Sequence, residues 1–381
     1  MNNRILLIRN VDPSFYGGGE TYQLMLAECL KKNGLEPVIV TSSELLIKNA
    51  KKNGFECVEA PYNKKQNWSG LSNLLFLNYY LWQRKLKKWY KELYKKYNPT
   101  TVNIQSRDDW IAGTDAAKEL GIRVLWTDHM DMRSWVLTNV NVWYKNLIGK
   151  WIKCHMNDTY KIIMISEYEH EWIRKVIDDK KIQKRIITIK NGAIDKYDDY
   201  KKVKPQDGTI CFVGRIVGYK GINELIEAFN RVRTNRKDIA LNIYGDGEDF
   251  ITVKNKVRGN KQIVMHGRTD TPLEALARND IFVLPSYREG LSLSLLDSMM
   301  MKKKIIASNV GGNPELIQDK KTGLLVDARN VDELEKAILF MLENVEKSSE
   351  MAEEARRRYE KEYNFDEIFK DKMMPLYTKM I

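Results

Sequence analysis

Two carboxylates in the C-terminal half of the chain, Glu289 and Asp297, are spaced to hold the two ends of one elongated ligand. The apolar run 281–284 just before them is typical of a buried strand. Gly290 permits a turn, and 291–301 is then predicted to be a helix. Glu289 therefore lies on a strand-to-helix loop. Asp297 lies about 12 Å further along and on nearly the same side of the helix.

Carboxylates accept hydrogen bonds from hydroxyl groups, and the free N–H groups at a helix N-terminus favour anions. A nucleotide-sugar offers hydroxyls on its sugar and on its ribose, with a diphosphate between them, and its length is comparable with the spacing of the two acids. The segment therefore predicts that Glu289 contacts a sugar and Asp297 a ribose, while the start of the helix faces the diphosphate.

Two cations with a possible phosphate-binding role follow the predicted strand 209–213. Arg215 and Lys220 lie on the glycine-rich stretch 214–221, just before a predicted helix. An arginine fork beside a lysine charge suits a diphosphate. The stretch fits neither the Walker A nor the GxGxxG pattern, and taken alone it slightly favours two exposed cations on a loop.

Further candidate ligand-binding residues lie on loops after other predicted strands. Glycine lets a ring or a ribose approach the backbone closely, although tight turns are the more common explanation. His129 follows the predicted strand 122–127, where a histidine can contact a ligand, although a lone histidine is more often structural. The candidate ligand-binding positions on loops are Gly17, Gly18, Gly245, Arg268, Gly290, Leu291 and Ser292.

The elements that must position these residues alternate between strand and helix, and they do so in two series. Such alternation predicts an α/β protein with two doubly wound, Rossmann-like parallel-sheet domains that face a central cleft. We expect an N-terminal domain over 1–196, a linker over 197–206, a C-terminal domain over 207–360 and a helix in 361–381 that returns to the first domain. The predicted strands are 5–8, 37–41, 101–105, 122–127, 161–165, 186–190, 209–213, 239–244, 262–266, 281–284, 304–307 and 323–326.

Length and composition narrow the class of protein. The chain has 381 residues, of which 43% are hydrophobic and 30% charged, so we expect a globular protein with more than one core. The formal net charge of +12 suits anionic partners, but no nucleic-acid-binding module is recognisable. No signal peptide or membrane-spanning run is expected. The four scattered cysteines favour reduced thiols in a cytoplasmic protein.

The segment 74–97 is rich in aromatic and basic residues and has an approximate helical stripe of apolar ones. The slightly favoured interpretation is a core helix with a solvated basic face. The alternative is an interfacial helix that binds an anionic membrane surface, which would place the protein peripherally on the inner face of the membrane.

Taken together, these loops resemble those of the GT-B glycosyltransferases, specifically the retaining glycosyltransferase family 4. The resemblance covers nearly the whole chain and is closer in the second half than in the first. The matching positions, in family order, are Gly-Gly-Gly-Glu at 17–20, His129, Ser166-Glu167, 191–195, Gly214-Arg215 with Lys220-Gly221, 244–247, 289–297 and 311–315.

The resemblance implies a metal-independent, retaining glycosyltransferase without a cofactor. It would move a sugar from a nucleotide-diphosphate sugar, by default a UDP-sugar, to a glycan or lipid-linked acceptor in the synthesis of surface polysaccharide or glycolipid. It implies catalytic roles for Glu289, His129, Arg215 and Lys220, and donor-binding roles for Arg215, Lys220, Glu289 and the loop residues above. Two alternatives stay open: a nucleotide-sugar epimerase of the same fold, and a non-catalytic nucleotide-sugar- or lipid-binding partner of another enzyme.

Asp297 departs from the family pattern, which has glutamate as its second acid. Aspartate is shorter by one methylene, roughly 1.5 Å of reach. The expectation is weaker donor binding rather than loss of activity.

Overall fold

Two parallel β-sheets, one in each of two compact units, organise the chain. The computed structural model describes residues 3–63, 74–129, 132 and 143–378. The first unit comprises 1–190 together with 369–381, and the second comprises 191–368.

The first unit contains a seven-stranded sheet in the order β3-β2-β1-β4-β5-β6-β7, and the recorded strand pairs are all parallel. Strands of this kind are buried on both faces, which is why their sequences are nearly continuous apolar runs. The strands are β1 (Arg4–Arg9), β2 (Glu36–Thr41), β3 (Glu56–Glu59), β4 (Thr101–Ile104), β5 (Arg123–Asp128), β6 (Lys161–Met164) and β7 (Ile186–Thr188).

Helices connect these strands and cover the sheet. The predicted helix over 74–97 is confirmed, and its residues Tyr90 and Tyr94 are buried in the core of the first unit. Trp110 and Trp126 stack beneath it with their ring centroids 5.0 Å apart. The helices of this part of the chain are α1 (Gly18–Lys32), α2 (Glu44–Lys52), α3 (Leu74–Tyr97), α4 (Trp110–Glu119), α5 (Trp143–Met156), α6 (Glu167–Val176) and α7 (Lys180–Gln183).

The second unit contains a six-stranded sheet in the order β10-β9-β8-β11-β12-β13, and its recorded pairs are also parallel. Its central strands β8 and β11 contain apolar segments that are fully buried, as at Phe212 and Phe282. The strands are β8 (Gln206–Val213), β9 (Ala240–Tyr244), β10 (Ile263–Gly267), β11 (Asn279–Leu284), β12 (Lys304–Ser308) and β13 (Leu324–Val326).

The helices of the second unit follow its strands, and the chain then ends in the first unit. Near the end, Asn103 donates to the hydroxyl of Tyr377 at 2.7 Å, and Arg123 donates to the carbonyl of Leu376 at 2.8 Å. The helices are α8 (Tyr197–Tyr200), α9 (Ile222–Val232), α10 (Phe250–Lys256), α11 (Pro272–Arg278), α12 (Leu293–Met300), α13 (Asn313–Leu316), α14 (Val331–Glu343), α15 (Val345–Glu362), α16 (Phe365–Ile368) and α17 (Met374–Thr378), with a π-helix at Phe369–Met373 before the last.

The predicted fold class, two doubly wound parallel sheets, is confirmed. The first sheet is wider than expected because β3 and the preceding helix α2 were not predicted. β3 is a short strand whose two ends are exposed glutamates. The stretch 197–206, expected to be a linker, carries α8 and lies within the second unit. None of the helices in the described ranges combines the length and the apolar character that crossing a membrane requires.

Candidate active site

A buried ion pair joins two of the predicted site residues in the second unit. Lys220 ends the 3-10 helix that follows β8, and Glu289 lies on the loop that follows β11. Because β8 and β11 are parallel neighbours, both loops leave the sheet at the same edge. The Lys220 ammonium lies 2.6 Å from Oε1 of Glu289, and the two side chains are only 16% and 8% exposed.

Backbone contacts fix the loop that carries Glu289. Gly311 lies after β12 at a φ of +55°, and a Cβ added there would lie 1.8 Å from the carbonyl oxygen of Glu289. The N–H of Gly312 donates to the carbonyl of Gly290 at 2.8 Å. A side chain at Gly311 would therefore push away the loop that positions the Glu289 carboxylate.

The helix after Glu289 begins later than predicted. Ser292 is the N-cap of α12, so the helix starts at Leu293 rather than at residue 291. The residues Gly290, Leu291 and Ser292 form a buried lead-in to the helix, and Asn191 donates to the carbonyl of Leu291 at 3.3 Å. The N–H groups of the first helical turn are thus presented next to Glu289, where they favour an anion.

Asp297 lies on α12 and is partly buried. Burial of its carboxyl group raises its pKa to about 7, against the lowering effect of Lys196. At neutral pH the carboxyl is therefore divided between its protonated and ionised forms, and its ability to accept hydrogen bonds depends on pH.

Three further predicted residues lie on loops that backbone contacts join to each other. Gly245, after β9, has a φ of +140°, and a Cβ there would lie 1.8 Å from the carbonyl oxygen of Gly214. The N–H of Gly245 donates to the carbonyl of Gly267 at 2.7 Å. Arg215 directly follows Gly214 and is partly buried, whereas Arg268 directly follows Gly267 and is exposed. The close approach at Gly245 is thus one between two stretches of protein backbone.

The remaining predicted residues lie in the first unit, where Gly17 and Gly18 begin α1. The sequence placed both glycines on a loop, but the helix already starts at Gly18. The reason is a local hydrogen bond: the N–H of Gly17 donates at 2.7 Å to Oε2 of Glu20, which satisfies a free group at the helix start.

His129 follows β5 in the same unit and contacts two residues that the sequence analysis did not single out. Its Nε2 lies 3.3 Å from the side-chain oxygen of Gln105, and its ring meets that of Tyr22 edge-on, with the centroids 4.8 Å apart. Burial and, to a smaller extent, the charge of Arg9 hold the pKa of His129 well below its usual range. The imidazole is therefore neutral across the physiological pH range.

The structure thus sorts the predicted residues into two groups, one in each unit. In the second unit Lys220 and Glu289 are in direct contact, and Arg215, Gly245 and Arg268 lie on loops at the same edge of the sheet. In the first unit His129 and Gly17 are linked through Arg9, Glu20 and Gln105. The sequence analysis included Glu20 only as part of the Gly-Gly-Gly-Glu match and missed Arg9 and Gln105. The available signal was an arginine at the end of an apolar strand followed by a glutamate just after a glycine run.

Comparison with known proteins decides the family. The model of Glycosyltransferase Family 4 matches residues 16–194, and that of Glycosyl transferases group 1 matches residues 194–358. The chain belongs to the GT-B glycosyltransferases. The resemblance inferred from the loop residues is therefore confirmed.

Three curated glycosyltransferases illustrate the range of similarity. An uncharacterised glycosyltransferase of Methanocaldococcus jannaschii is 26% identical over 242 residues, which span only 61% of each chain. An uncharacterised glycosyltransferase of Haemophilus influenzae is 23% identical over 93% of this chain and 95% of its own. The poly(ribitol-phosphate) alpha-N-acetylglucosaminyltransferase of Staphylococcus aureus is 25% identical over 60% of this chain and 46% of its own.

A solved structure supports the same fold over the whole length. The HepE protein of Anabaena, crystallised in complex with UDP-glucose, superimposes with a TM-score of 0.76 over 99% of this chain and 100% of its own, at 14% identity. At that identity the likeness concerns the fold.

Proposed function

We propose that this GT-B glycosyltransferase transfers a sugar from a nucleotide-diphosphate sugar to a hydroxyl group of a glycan or lipid-linked acceptor, with retention of the anomeric configuration. The observation that carries the proposal is the buried pair Lys220–Glu289, which lies at the carboxyl edge of the second sheet beside the start of α12. A cation, a carboxylate and free helix N–H groups together match a diphosphate joined to a sugar.

Each residue has a distinct part in the proposed reaction. The acceptor hydroxyl oxygen forms a bond to the anomeric carbon as the bond between that carbon and the diphosphate breaks. Negative charge collects on the departing phosphate oxygen, which takes up the proton of the acceptor hydroxyl. Arg215 and Lys220 stabilise that charge, and this role is what makes a metal ion unnecessary in our proposal. Glu289 accepts hydrogen bonds from the sugar hydroxyls, and Asp297 accepts them from the ribose. His129, which belongs to the first unit, is a further catalytic residue in this proposal.

UDP is the proposed nucleotide of the donor. The Anabaena protein of the same fold was crystallised with UDP-glucose, which supports a uridine nucleotide without fixing the sugar. A thermal-shift screen against UDP-, GDP-, ADP- and TDP-sugars tests the choice, because a ligand that binds only the native state raises the melting temperature. Stabilisation by a GDP-, ADP- or TDP-sugar alone would reject UDP, and stabilisation by none would reject the donor site.

The reaction itself is tested by following the anomeric proton of donor and product by NMR. Retention predicts that an α-linked donor gives an α-linked product, and a β-linked product would reject the retaining mechanism. Glu289→Gln keeps the size of the side chain and removes its charge, so it is the matched variant for the active site. Turnover unchanged in this variant would remove Glu289 from the mechanism.

The acceptor in the proposal is a surface glycan or a glycolipid precursor. The support is the staphylococcal relative, whose name gives poly(ribitol-phosphate) as its acceptor. Incubating the enzyme and donor without an acceptor separates the two alternative functions from this one: an epimerase would convert the donor sugar unaided, and a non-catalytic partner would leave it intact. Slow donor hydrolysis without epimerisation is the outcome expected of a transferase.

A peripheral attachment to an anionic membrane is the proposed location of the reaction. The exposed face of α3 carries Leu77 and Leu81, each 52% exposed, and then the cations Arg84, Lys85 and Lys88. Arg84 and Lys88 border a groove of about 470 Å³ between α3, α4 and α5. Exposed leucines favour a lipid surface over a soluble anion, because a soluble anion gains nothing from them.

Co-sedimentation with vesicles that contain or lack phosphatidylglycerol tests the attachment. Reversing the charge of Arg84, Lys85 and Lys88 together should weaken binding to anionic vesicles by about a hundredfold, since each cation near such a surface contributes roughly 1 kcal/mol. Lys95→Glu with Lys96→Glu on the same helix is the matched control and should have a smaller effect. Equal binding to neutral and anionic vesicles, or binding to neither, would reject the attachment.

A further inference from the structure

Arg9 is a buried arginine at the carboxyl end of β1, and it contacts two other elements of the first unit. Its side chain is 9% exposed. Its Nε donates to Oε1 of Glu20 on α1 at 2.5 Å, and its Nη1 donates to the backbone carbonyl of Gln105, after β4, at 3.1 Å. A buried guanidinium needs such partners, because an unpaired charge in the interior is strongly destabilising.

The shape of the glycine run depends on this arginine. Glu20 uses its second oxygen to accept the N–H of Gly17, so one carboxylate joins Arg9 to the start of α1. A Cβ at Gly19 would lie 2.2 Å from the central carbon of the Arg9 guanidinium. The space that the third glycine leaves open is thus occupied by the arginine, which accounts for this glycine without a ligand.

The same arginine acts on His129 through Gln105. Its guanidinium holds the backbone of Gln105, whose side-chain oxygen lies 3.3 Å from Nε2 of His129. An amide oxygen can only accept, so a neutral His129 carries its hydrogen on Nε2 and leaves Nδ1 as an acceptor. Gln105 therefore selects one tautomer, and Arg9 holds the residue that makes the selection.

The charges around His129 come from three elements. β1 contributes Arg9, α1 contributes Glu20 and Tyr22, and β5 contributes the preceding residue Asp128. Tyr22 remains uncharged because burial raises its pKa well above the usual range. The side chain of Gln105, which contacts the imidazole, carries no charge.

We propose that Arg9 is a positioning residue for the reaction: through Glu20 it shapes the start of α1 at residues 17–19, and through Gln105 it holds the His129 imidazole in a single tautomer. The inference rests on the proposed function only in assigning His129 a catalytic role. A hydroxyl group of the substrate would then donate to Nδ1, which an imidazolium could not accept.

The test compares variants that break the same ion pair from opposite sides. Arg9→Met removes the cation near His129, whereas Glu20→Gln removes the anion and leaves the cation in place. The chain has 4 histidines, so the imidazole proton signals can be assigned by substituting each in turn and followed by NMR as the pH is lowered. Arg9→Lys, which keeps a positive charge, is the conservative variant.

In the wild type, in Arg9→Lys and in Glu20→Gln, the His129 signal should not titrate above the pH at which the protein unfolds. In Arg9→Met the titration of His129 should move to higher pH, because the nearby cation is lost while burial remains, and the acidic limb of kcat/KM should move with it. If Arg9→Met is too unstable to study, the double variant Arg9→Met with Glu20→Gln removes the unpaired buried carboxylate and takes its place.

Equal behaviour of Arg9→Met and Glu20→Gln would overturn the proposal, because a purely structural ion pair gives the same result from either side. A wild-type His129 that titrates normally would also overturn it. The NMR measurement needs no activity. A shifted His129 titration in an enzyme that shows no transfer would therefore reject the proposed function and leave the role of Arg9 intact.

Discussion

The carboxyl edges of the two sheets are built by different means. In the second unit the loops are fixed by backbone against backbone, at Gly245 against Gly214 and at Gly311 against Glu289. In the first unit they are fixed by buried side-chain charges, with Arg9 between α1 and the loop after β4. Substitutions in the second unit should therefore act mainly by displacing the backbone of a loop. Substitutions in the first unit should act mainly by removing a buried charge.

The largest effect is expected at Arg215 in the second unit. It tests whether a side-chain charge is needed for catalysis at a sheet edge whose loops are fixed by backbone contacts. One charge pair at about 4 Å and an effective dielectric near 20 is worth about 4 kcal/mol, and much of it is felt as the leaving group becomes charged. Arg215→Ala should therefore lower turnover by about a thousandfold. Arg258→Ala, at an exposed arginine of the same unit, is the control. A loss under about tenfold would exclude Arg215 from the chemistry.

The next largest effect tests the role of shape. Gly311→Ala places a methyl group where the Glu289 carbonyl lies, at a backbone φ of +55°. Gly259→Ala is matched, because that glycine has a φ of +87° but no atom within 4 Å of the added methyl group. The control should cost about 1 kcal/mol of unfolding free energy, and Gly311→Ala about 3 kcal/mol together with most of the activity. Similar losses in the two variants would mean that the close approach is unimportant.

This contrast explains why the fold was largely predictable from the sequence. Buried parallel strands are continuous apolar runs, so the runs around Ile5–Ile8 and Ile281–Leu284 were recognised directly. The edge strand β3 has the sequence Glu-Cys-Val-Glu and is only partly buried, so it lacks that signal and was missed. Pattern-based prediction works where burial dictates composition, and edge strands escape that constraint.

The candidate site residues of the second unit were predictable because the structure dictates local composition there, whereas the contacts of Arg9 in the first unit were not predictable. A close backbone approach demands glycine, so Gly245 and Gly311 mark their loops within the local sequence. The pairing of Arg9 with Glu20 spans 11 positions, and the link to Gln105 spans 96. No local pattern reports the contact between Arg9 and Gln105, because it depends on which strands become neighbours in the sheet.

A moderate effect is expected at Asp297, where pH should change the donor affinity of the second unit without moving its backbone. Its pKa is raised to about 7 by burial, so lowering the pH through 7 protonates the carboxyl and removes an acceptor from the ribose. Donor affinity, measured by isothermal titration calorimetry, should then fall by about tenfold. Donor binding by Asp297→Asn should be weak and independent of pH. Asp297→Glu should bind the donor more tightly than the wild type. An affinity that rises as the pH falls would contradict the assignment.

The smallest effect concerns stability and belongs to the first unit alone. His155 on α5 lies with Nδ1 2.8 Å from the carbonyl of Trp151 and Nε2 3.0 Å from a carboxylate oxygen of Asp115 on α4. Both partners are acceptors, so both ring nitrogens must donate, and the imidazole is charged. Burial lowers the pKa of His155, but the hydrogen bonds to Asp115 and to the Trp151 carbonyl outweigh it and raise the pKa overall.

Because the pKa of His155 is higher in the folded than in the unfolded state, its charge stabilises the folded protein fully at pH values below the unfolded-state pKa. This stabilisation is lost as the pH rises through the folded-state pKa. His155→Gln should therefore destabilise the protein by about 1–2 kcal/mol in mildly acid solution, where Asp115 is still ionised, and by less in alkaline solution. His266 in the second unit is the matched control, because burial lowers its pKa and the sign of its dependence is opposite. Thermal unfolding of the two variants across pH measures the difference. If the loss of unfolding free energy depended on pH in the same way in both variants, the charge of His155 would not stabilise the first unit. The two units would then differ in backbone geometry alone.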